Sequence, residues 1–474
     1  MKRPFIPIAL IVIAILALVV FLVFDIANDT AIEPRKRKDP YATEIKDKEM
    51  ETITGEPSTS APTEERKYTG DPFYGEDDIT LTVWVSESAM DITKELCDDF
   101  IASHPEKKIS IEVESHEEEE IDYDLMSNPK KGADVFSFTA DRLDLLNRYD
   151  ILAPVVSDYI EDVKTYHSER SVRSASINGK LMAYPETEAY SYCLVYDKSC
   201  VSDKDAQTLS GVLEACRKAK KKFVMDADNG YYSCIFPFTG GLSANGFTED
   251  GEQAFNVFDE EKVLDSLEAF AKLFNEYSDV ILNASVDKIG DGMSKSGNVA
   301  AGIDSYQNIP ADQEKLGKNF GSAKLPTVNI KGTDAQIISA CGAKLLGVNA
   351  YSAFPESSQT LADYLAGYDC QSARLKQLDW IPSIKELQSG DAVTGNAWME
   401  ALLAQSERAV LQSGISLSFW EPIGDLGDTV FSGTAKRSEL KEELENALKK
   451  INSDYQTVQS IEQKEKLKYN HLPE

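Results

Sequence analysis

The stretch GADVFSFTADR, residues 132–142, opens like a buried strand and closes on Asp141 and Arg142. Its neighbours set its meaning. ITLTVWV (79–85) alternates, with Ile79, Leu81, Val83 and Val85 on one face, the period of a half-buried strand. DITKELCDDFIASH follows with Ile92, Leu96, Phe100 and Ile101 at helical spacing, and KISIEVES (108–115) alternates again. ADVFSFT then reads as a strand and DRLDLLNRY as a helix. Strand, helix, strand, helix is the pattern of an α/β fold with a mostly parallel sheet. In such sheets ligands sit beyond the carboxyl ends of the strands. Phe138, Asp141 and Arg142 occupy such an end and are candidate ligand contacts. Asp141 also suits a cap on the following helix, and Arg142 a partner for a nearby carboxylate; these roles are compatible with ligand binding.

Further along, EKVLDSLEAFAKLFNEY (261–277) places Val263, Leu264, Leu267, Phe270 and Phe274 on one helical stripe. NAWMEALLAQSERAVLQ (396–412) and SELKEELENALKKI (438–451) also read as helices. Ser438 with Glu439 and Glu442 looks like a helix start, acids being favoured near the positive end of the dipole.

Outside this body the composition changes. Residues Phe5–Phe24 carry no charge, after Lys2 and Arg3. Twenty residues at about 1.5 Å each span about 30 Å, the hydrocarbon thickness. FLVFDIAND offers no convincing cleavage site, so residues 1–24 are expected to be an uncleaved transmembrane anchor. Orientation is ambiguous from charge alone: Lys2 and Arg3 favour a cytoplasmic N-terminus, but Arg35, Lys36, Arg37 and Lys38 oppose it. Residues 25–78, rich in Pro, Thr, Glu, Lys and Ser, read as a linker too polar to form a core. A flexible chain of that length reaches roughly 40 Å. The polar stretch 456–474 reads as a tail.

Net charge is −31, from 80 acidic against 49 basic residues. Nucleic-acid binding needs a basic footprint and is disfavoured. The seven cysteines form no CxxC pair, so no zinc site is expected, and their odd number leaves at least one free or paired with another chain. The four histidines are scattered, with no HExxH. There is no G-x-S-x-G elbow, P-loop or G-x-G-x-x-G. SVDK (285–288) and SELK (438–441) lack the companion motifs of an S-x-x-K enzyme. DADNG (226–230) puts Gly230 where a calcium ligand belongs. Neither an enzyme nor a bound metal or cofactor is expected.

Several stretches together resemble the extracellular solute-binding proteins of bacterial ABC sugar importers, the family of the maltose-binding protein. They are LTVWVSE, KKISIEVES, GADVFSFTADRLDLLNRYDILAPV, INGKLMAYPETEAYSYCLVYDKS, FGSAKLPTV and LSFWEPIGDLGDTV, in family order over about 79–455. The resemblance implies two α/β lobes joined by hinge crossovers, with ligand in the cleft. One lobe would hold about 79–187 and 338–385, the other about 188–337 and 386–455.

By the same resemblance Phe138 and Asp141 fall on ligand-facing positions. Glu188 falls near a crossover acid that bonds sugar hydroxyls; the spacing differs by one, so Glu186 competes. Tyr231 and Tyr232 fall in a second-lobe loop that supplies an aromatic. Tyr306 falls where the family often has Trp, and Trp420 on a late aromatic that closes over sugar. Trp84 and Trp380 are expected to be structural. The implied function is membrane-tethered capture of an oligosaccharide or other small solute for ABC permease subunits, with the body outside the cell membrane. A surface receptor presenting a glycan to a sensor competes with it, favoured by the uncleaved anchor. A glycoside hydrolase is a third reading, for which no carboxylate pair stands out.

Overall fold

The alternating stretches become strands in one sheet. The computed structural model describes residues 71–116, 121–248, 252–293 and 297–452. Strand β1 (Ile79–Val85) runs parallel to β2 (Ile109–Ser115), from Ile79 opposite Ile109 to Val85 opposite Ser115. On its other side β1 runs parallel to β3 (Val135–Thr139), with Val83 opposite Val135. The late strand Lys344–Asn349 then returns antiparallel to β3, placing Leu345 opposite Phe138. The short strands Leu152–Ala153 and Tyr184–Pro185 pair with it. The helices Met90–Ser103 and Pro355–Ala366 belong to this lobe and bury Ile92, Leu96, Phe100, Leu361 and Leu365 in its core.

A second sheet is built from Ile281–Asn283, Lys222–Met225, Val299–Ser305, Tyr192–Asp197 and Phe320–Ala323, in that spatial order. Its core takes in the helix Glu260–Glu276, whose predicted stripe of Val263, Leu264, Leu267, Phe270 and Phe274 is buried. That helix starts on Asp259, whose side chain accepts from the Glu261 N–H, as an N-cap should. The two sheets have separate hydrophobic cores, so the protein has two α/β lobes.

Three sequence boundaries shift. Residues 71–78, read as linker, are packed on the first lobe. Phe73 is 1% exposed and sits edge-on to Phe100 and His104. The Glu76 carboxylate accepts from the Ser357 N–H at 2.9 Å, at the start of the helix Pro355–Ala366. The helix expected over 396–412 covers Ala397–Ser406 only, because Val410–Leu411 leave it to pair with Ala340–Cys341. The last helix begins one residue before Ser438, and Glu439 accepts from the Lys436 N–H at 2.8 Å.

All seven cysteines are free thiols, six of them buried. Burial pushes Cys97 and Cys216 up to about 12, far from the reactive thiolate. No helix among the described residues is long and apolar enough to cross a membrane. The expected anchor (1–24), the rest of the expected linker (25–70) and the expected tail (456–474) lie outside the described residues.

Candidate functional site

The lobes meet where three crossover segments lie side by side. Tyr190 and Gly342 exchange both backbone hydrogen bonds, at 3.1 and 2.8 Å. Glu186 and Thr187 donate their N–H groups to the Lys344 carbonyl, and the Lys344 N–H donates to Thr187 Oγ1 at 2.9 Å. Glu188 donates to the Ile381 carbonyl at 2.9 Å. Short pairings of this kind give a narrow ribbon between two large cores, the place where a hinge would flex.

Aromatic side chains collect around the ribbon. The rings of Tyr190 and Tyr306 lie 4.4 Å apart. Tyr306 packs against both cores. Its backbone N–H donates to the Ser191 carbonyl, which fixes the turn beyond the strand Val299–Ser305. Tyr231 donates its hydroxyl to the Tyr190 carbonyl at 3.2 Å. Its ring is edge-on to Trp420 at 5.8 Å and to Tyr192 at 5.0 Å. Trp420 is 6% exposed and opens the helix Trp420–Phe431. That helix lies against Gly230 so closely that a Cβ there would overlap the Trp420 carbonyl. Lys344 Nζ stands 4.0 Å over the Trp380 ring and 5.9 Å from the Tyr190 ring. Trp380 thus serves the hinge as well as the core.

Polar groups converge on the same ribbon. The Glu188 carboxylate accepts from Ser168, from Ser171 at 3.0 Å and from Gln388 Nε2 at 2.6 Å, with Arg170 Nε at 3.6 Å. At the end of β3, the Asp141 carboxylate accepts from Thr139 Oγ1 at 2.6 Å and is half-buried. No side-chain cap holds the following helix, so capping is not its role. The turn Ala140–Arg142 touches Gln412–Gly414 from the other lobe. The strand end named by the sequence therefore does reach the seam between lobes.

Six expected contacts are buried: Glu188 and Trp420, 7% and 6% exposed, and the four that follow. Phe138 is 0% exposed and packs 5.6 Å from Phe136 in the core. The cause is the central place of β3: with a strand on each side and its residues Val135–Phe138 all buried, both its faces are covered. Arg142 is turned into the first lobe, 3.0 Å from Asp122. Glu186 lies under the ribbon, accepting from Ser137 Oγ at 2.7 Å, with Arg374 Nε at 3.2 Å. Tyr232 is buried against Tyr192 at 5.0 Å. Asp141, Glu188, Tyr231, Tyr306 and Trp420 are the expected residues gathered about the hinge. Tyr190, Lys344 and Gln412 join them; no motif in the chain marks them, because their meeting depends on three separate crossovers.

Two α/β lobes on a three-segment hinge, with aromatic rings and carboxylates at the seam, define a protein built to close on a ligand. Residues 95–401 match the model of the bacterial extracellular solute-binding proteins, and the chain belongs to that family. It is 23% identical over 369 residues to the galactooligosaccharide-binding protein of Bacillus subtilis (strain 168), covering 75% of this chain and 85% of that protein. Its fold is similar to that of the unliganded maltodextrin binding protein from L. casei BL23, with a TM-score of 0.69 and 22% identity over 79% of this chain and 98% of that one. It is also similar to a cyclo/maltodextrin-binding protein complexed with maltotetraose, with a TM-score of 0.67 and 24% identity over 81% of this chain and 98% of the other.

Proposed function

We propose that this chain is the substrate-binding component of an ABC importer and captures an oligosaccharide between its lobes on the outer face of the cell membrane. The gathering of Tyr190, Tyr306, Tyr231 and Trp420 at the ribbon, with Asp141 on the first-lobe turn that meets the second lobe, carries the reading. Sugars have polar rims and apolar C–H faces. Carboxylates accept strongly from hydroxyls, while aromatic rings cover the faces and remove them from water. The relatives' names, a galactooligosaccharide binder and maltodextrin binders, support the same ligand class. The apolar run Phe5–Phe24 supports an anchor that keeps the body beside its permease.

The test is a thermal-shift panel of mono- and oligosaccharides against the full chain in detergent. A ligand that binds only the native state adds about 2.7 kcal/mol at a hundredfold excess over its dissociation constant. A shift with one sugar class, together with recovery of permease subunits from membranes, supports the proposal. A flat panel from folded protein overturns the ligand class, and recovery of a sensor kinase in place of permease overturns the transport role.

A further inference from the structure

A groove in the first lobe shares no residue with the hinge ribbon. It lies among the helices Met90–Ser103, Ser157–Tyr166 and Pro355–Ala366 and has a volume of about 670 Å³. The rings of Phe100, Tyr159 and Tyr364 give it an apolar lining, with Phe100 and Tyr364 5.1 Å apart. Its charged lining is acidic: Asp158, Asp162 and Asp363, with no lysine or arginine. Asp158 accepts from the Tyr74 hydroxyl. The carboxylates of Asp162 and Asp363 have no hydrogen-bond or ion-pair partner among the described residues. Burial, with Asp162 beside it, pushes Asp363 up to about 7, so its charge is uncompensated where it stands. Carboxylates beside aromatic rings select a cation, through charge-assisted hydrogen bonds and attraction to the ring faces.

The chain itself leads into this groove. Pro72 lines it, and the Pro72 carbonyl accepts from Thr360 Oγ1 at 2.7 Å. On the C-terminal side the entry is pinned by Phe73 in the core and by Glu76 on Ser357. On the N-terminal side the sequence reads TEERKYTGDP (63–72), which sets Arg66 and Lys67 six and five residues before Pro72. Five extended residues reach about 17 Å, more than the roughly 11 Å breadth of a compact hollow of this volume. Glu64 and Glu65 lie further out, so a chain followed back from Pro72 brings its cations to the groove first.

We propose that the groove is the docking site of this chain's own basic pair, Arg66 and Lys67, whose guanidinium and ammonium groups pair with Asp363 and Asp162 beside the tyrosine rings. The segment straps the tether to the first lobe, so that the free linker ends at Glu65 and leaves the body in one direction. This stands apart from the oligosaccharide reading, since no residue of the groove is among those gathered at the hinge.

The experiment is limited trypsin digestion of the full chain in detergent. Cleavage after Arg66 and Lys67 is compared with cleavage in the run Arg35–Lys38, in wild type and in Asp162→Asn/Asp363→Asn. Asparagine keeps the shape and removes the charge. Cleavage follows the undocked population when docking is fast. The expected result is cleavage at 66–67 about tenfold faster in the variant than in wild type, with the reference run cut at an unchanged rate. Wild type should approach the variant in about 0.5 M salt, where the pairing is screened. Equal rates in a well-folded variant overturn the proposal and leave the groove to a cation from another molecule. If the variant melts below wild type, Arg66→Gln/Lys67→Gln decides, because it leaves the groove intact. The Asp363 carboxyl, followed by NMR, should titrate higher in it than in wild type, and identical titration overturns the proposal.

Discussion

Arg374 Nε lies 3.2 Å from Glu186 Oε1 beneath the hinge ribbon, and both side chains are 1% exposed. Glu186 also accepts from Ser137 of β3, while Arg374 Nη1 donates to the Leu365 carbonyl at 2.6 Å. The pair joins the crossover to the first sheet and to the helix behind it. Removing one member of a buried pair leaves an uncompensated charge and costs about 3–5 kcal/mol. Arg374→Leu and Glu186→Leu should each lower unfolding free energy by about that amount in urea titrations. The double variant should recover a large part of the loss, since a buried pair replaced by apolar groups is often neutral.

Gly230 sets where Trp420 stands. A Cβ at 230 would overlap the Trp420 carbonyl, a backbone atom that can move only with its helix. Gly230→Ala should cost about 1–3 kcal/mol, the usual range for overpacking. It should also change tryptophan fluorescence, because the edge-on contact of Trp420 with Tyr231 is disturbed. Trp420→Ala should weaken sugar binding by about 2–4 kcal/mol, as expected for a central aromatic anchor. Calorimetry would check this, and unchanged affinity would remove Trp420 from the site.

His167 gives the hinge an acid sensitivity. It is buried, with Nδ1 2.7 Å from Ser383 Oγ, and burial followed by the nearby Lys385 pushes it down to about 4. The unfolded chain takes up this proton near pH 6.5 and the native protein only near pH 4. The neutral ring's contribution is therefore complete above about pH 6.5 and lost as pH falls towards 4, by about 3 kcal/mol in all. Asp304 and Asp363, raised to about 9 and about 7 mainly by burial, act in the opposite direction as pH rises. Their contribution is common to wild type and His167→Gln. The difference between the two stability–pH profiles should therefore change only over the acid window, and a flat difference would contradict this assignment.

Phe73 extends the folded body N-terminally of β1. Its burial against Phe100 and His104 predicts a loss of about 3–5 kcal/mol for Phe73→Ala. Thermal denaturation would measure it; a change under 1 kcal/mol would return residues 71–78 to the linker.

What could be read from the sequence was what repeats along one element. The alternation of Ile79–Val85 and the stripe Val263–Phe274 each describe a face meeting one core, and both faces are where they were expected. Phe138 was misplaced because a strand buried on both sides has no alternation to tell an inward face from a ligand face. Arg142 and Glu186 were unreadable for a different reason: their partners Asp122 and Arg374 come from distant segments. The boundary at residue 78 failed because one phenylalanine in a polar stretch does not announce its pocket. Asp141, expected from its strand end and from family likeness, lies on the turn that meets the other lobe, and Trp420, expected from the likeness, lies edge-on to Tyr231. Gln412 had no such signal, since its position depends on Gly342 and Gln253.

The strand Lys344–Asn349 lies in the middle of the first sheet, between β3 and Leu152–Ala153. Every strand of the second sheet lies between residues 192 and 323. As the chain leaves the ribosome, the second sheet has all its strands before the first sheet receives its central one. The lobe that starts the chain must wait for most of the other to be synthesised, holding β3 with an open edge meanwhile. Such an edge invites pairing with other chains, and closing so long a loop is slow. The crossing of the chain between lobes thus also imposes an order of assembly, and leaves the nascent first lobe in need of shielding.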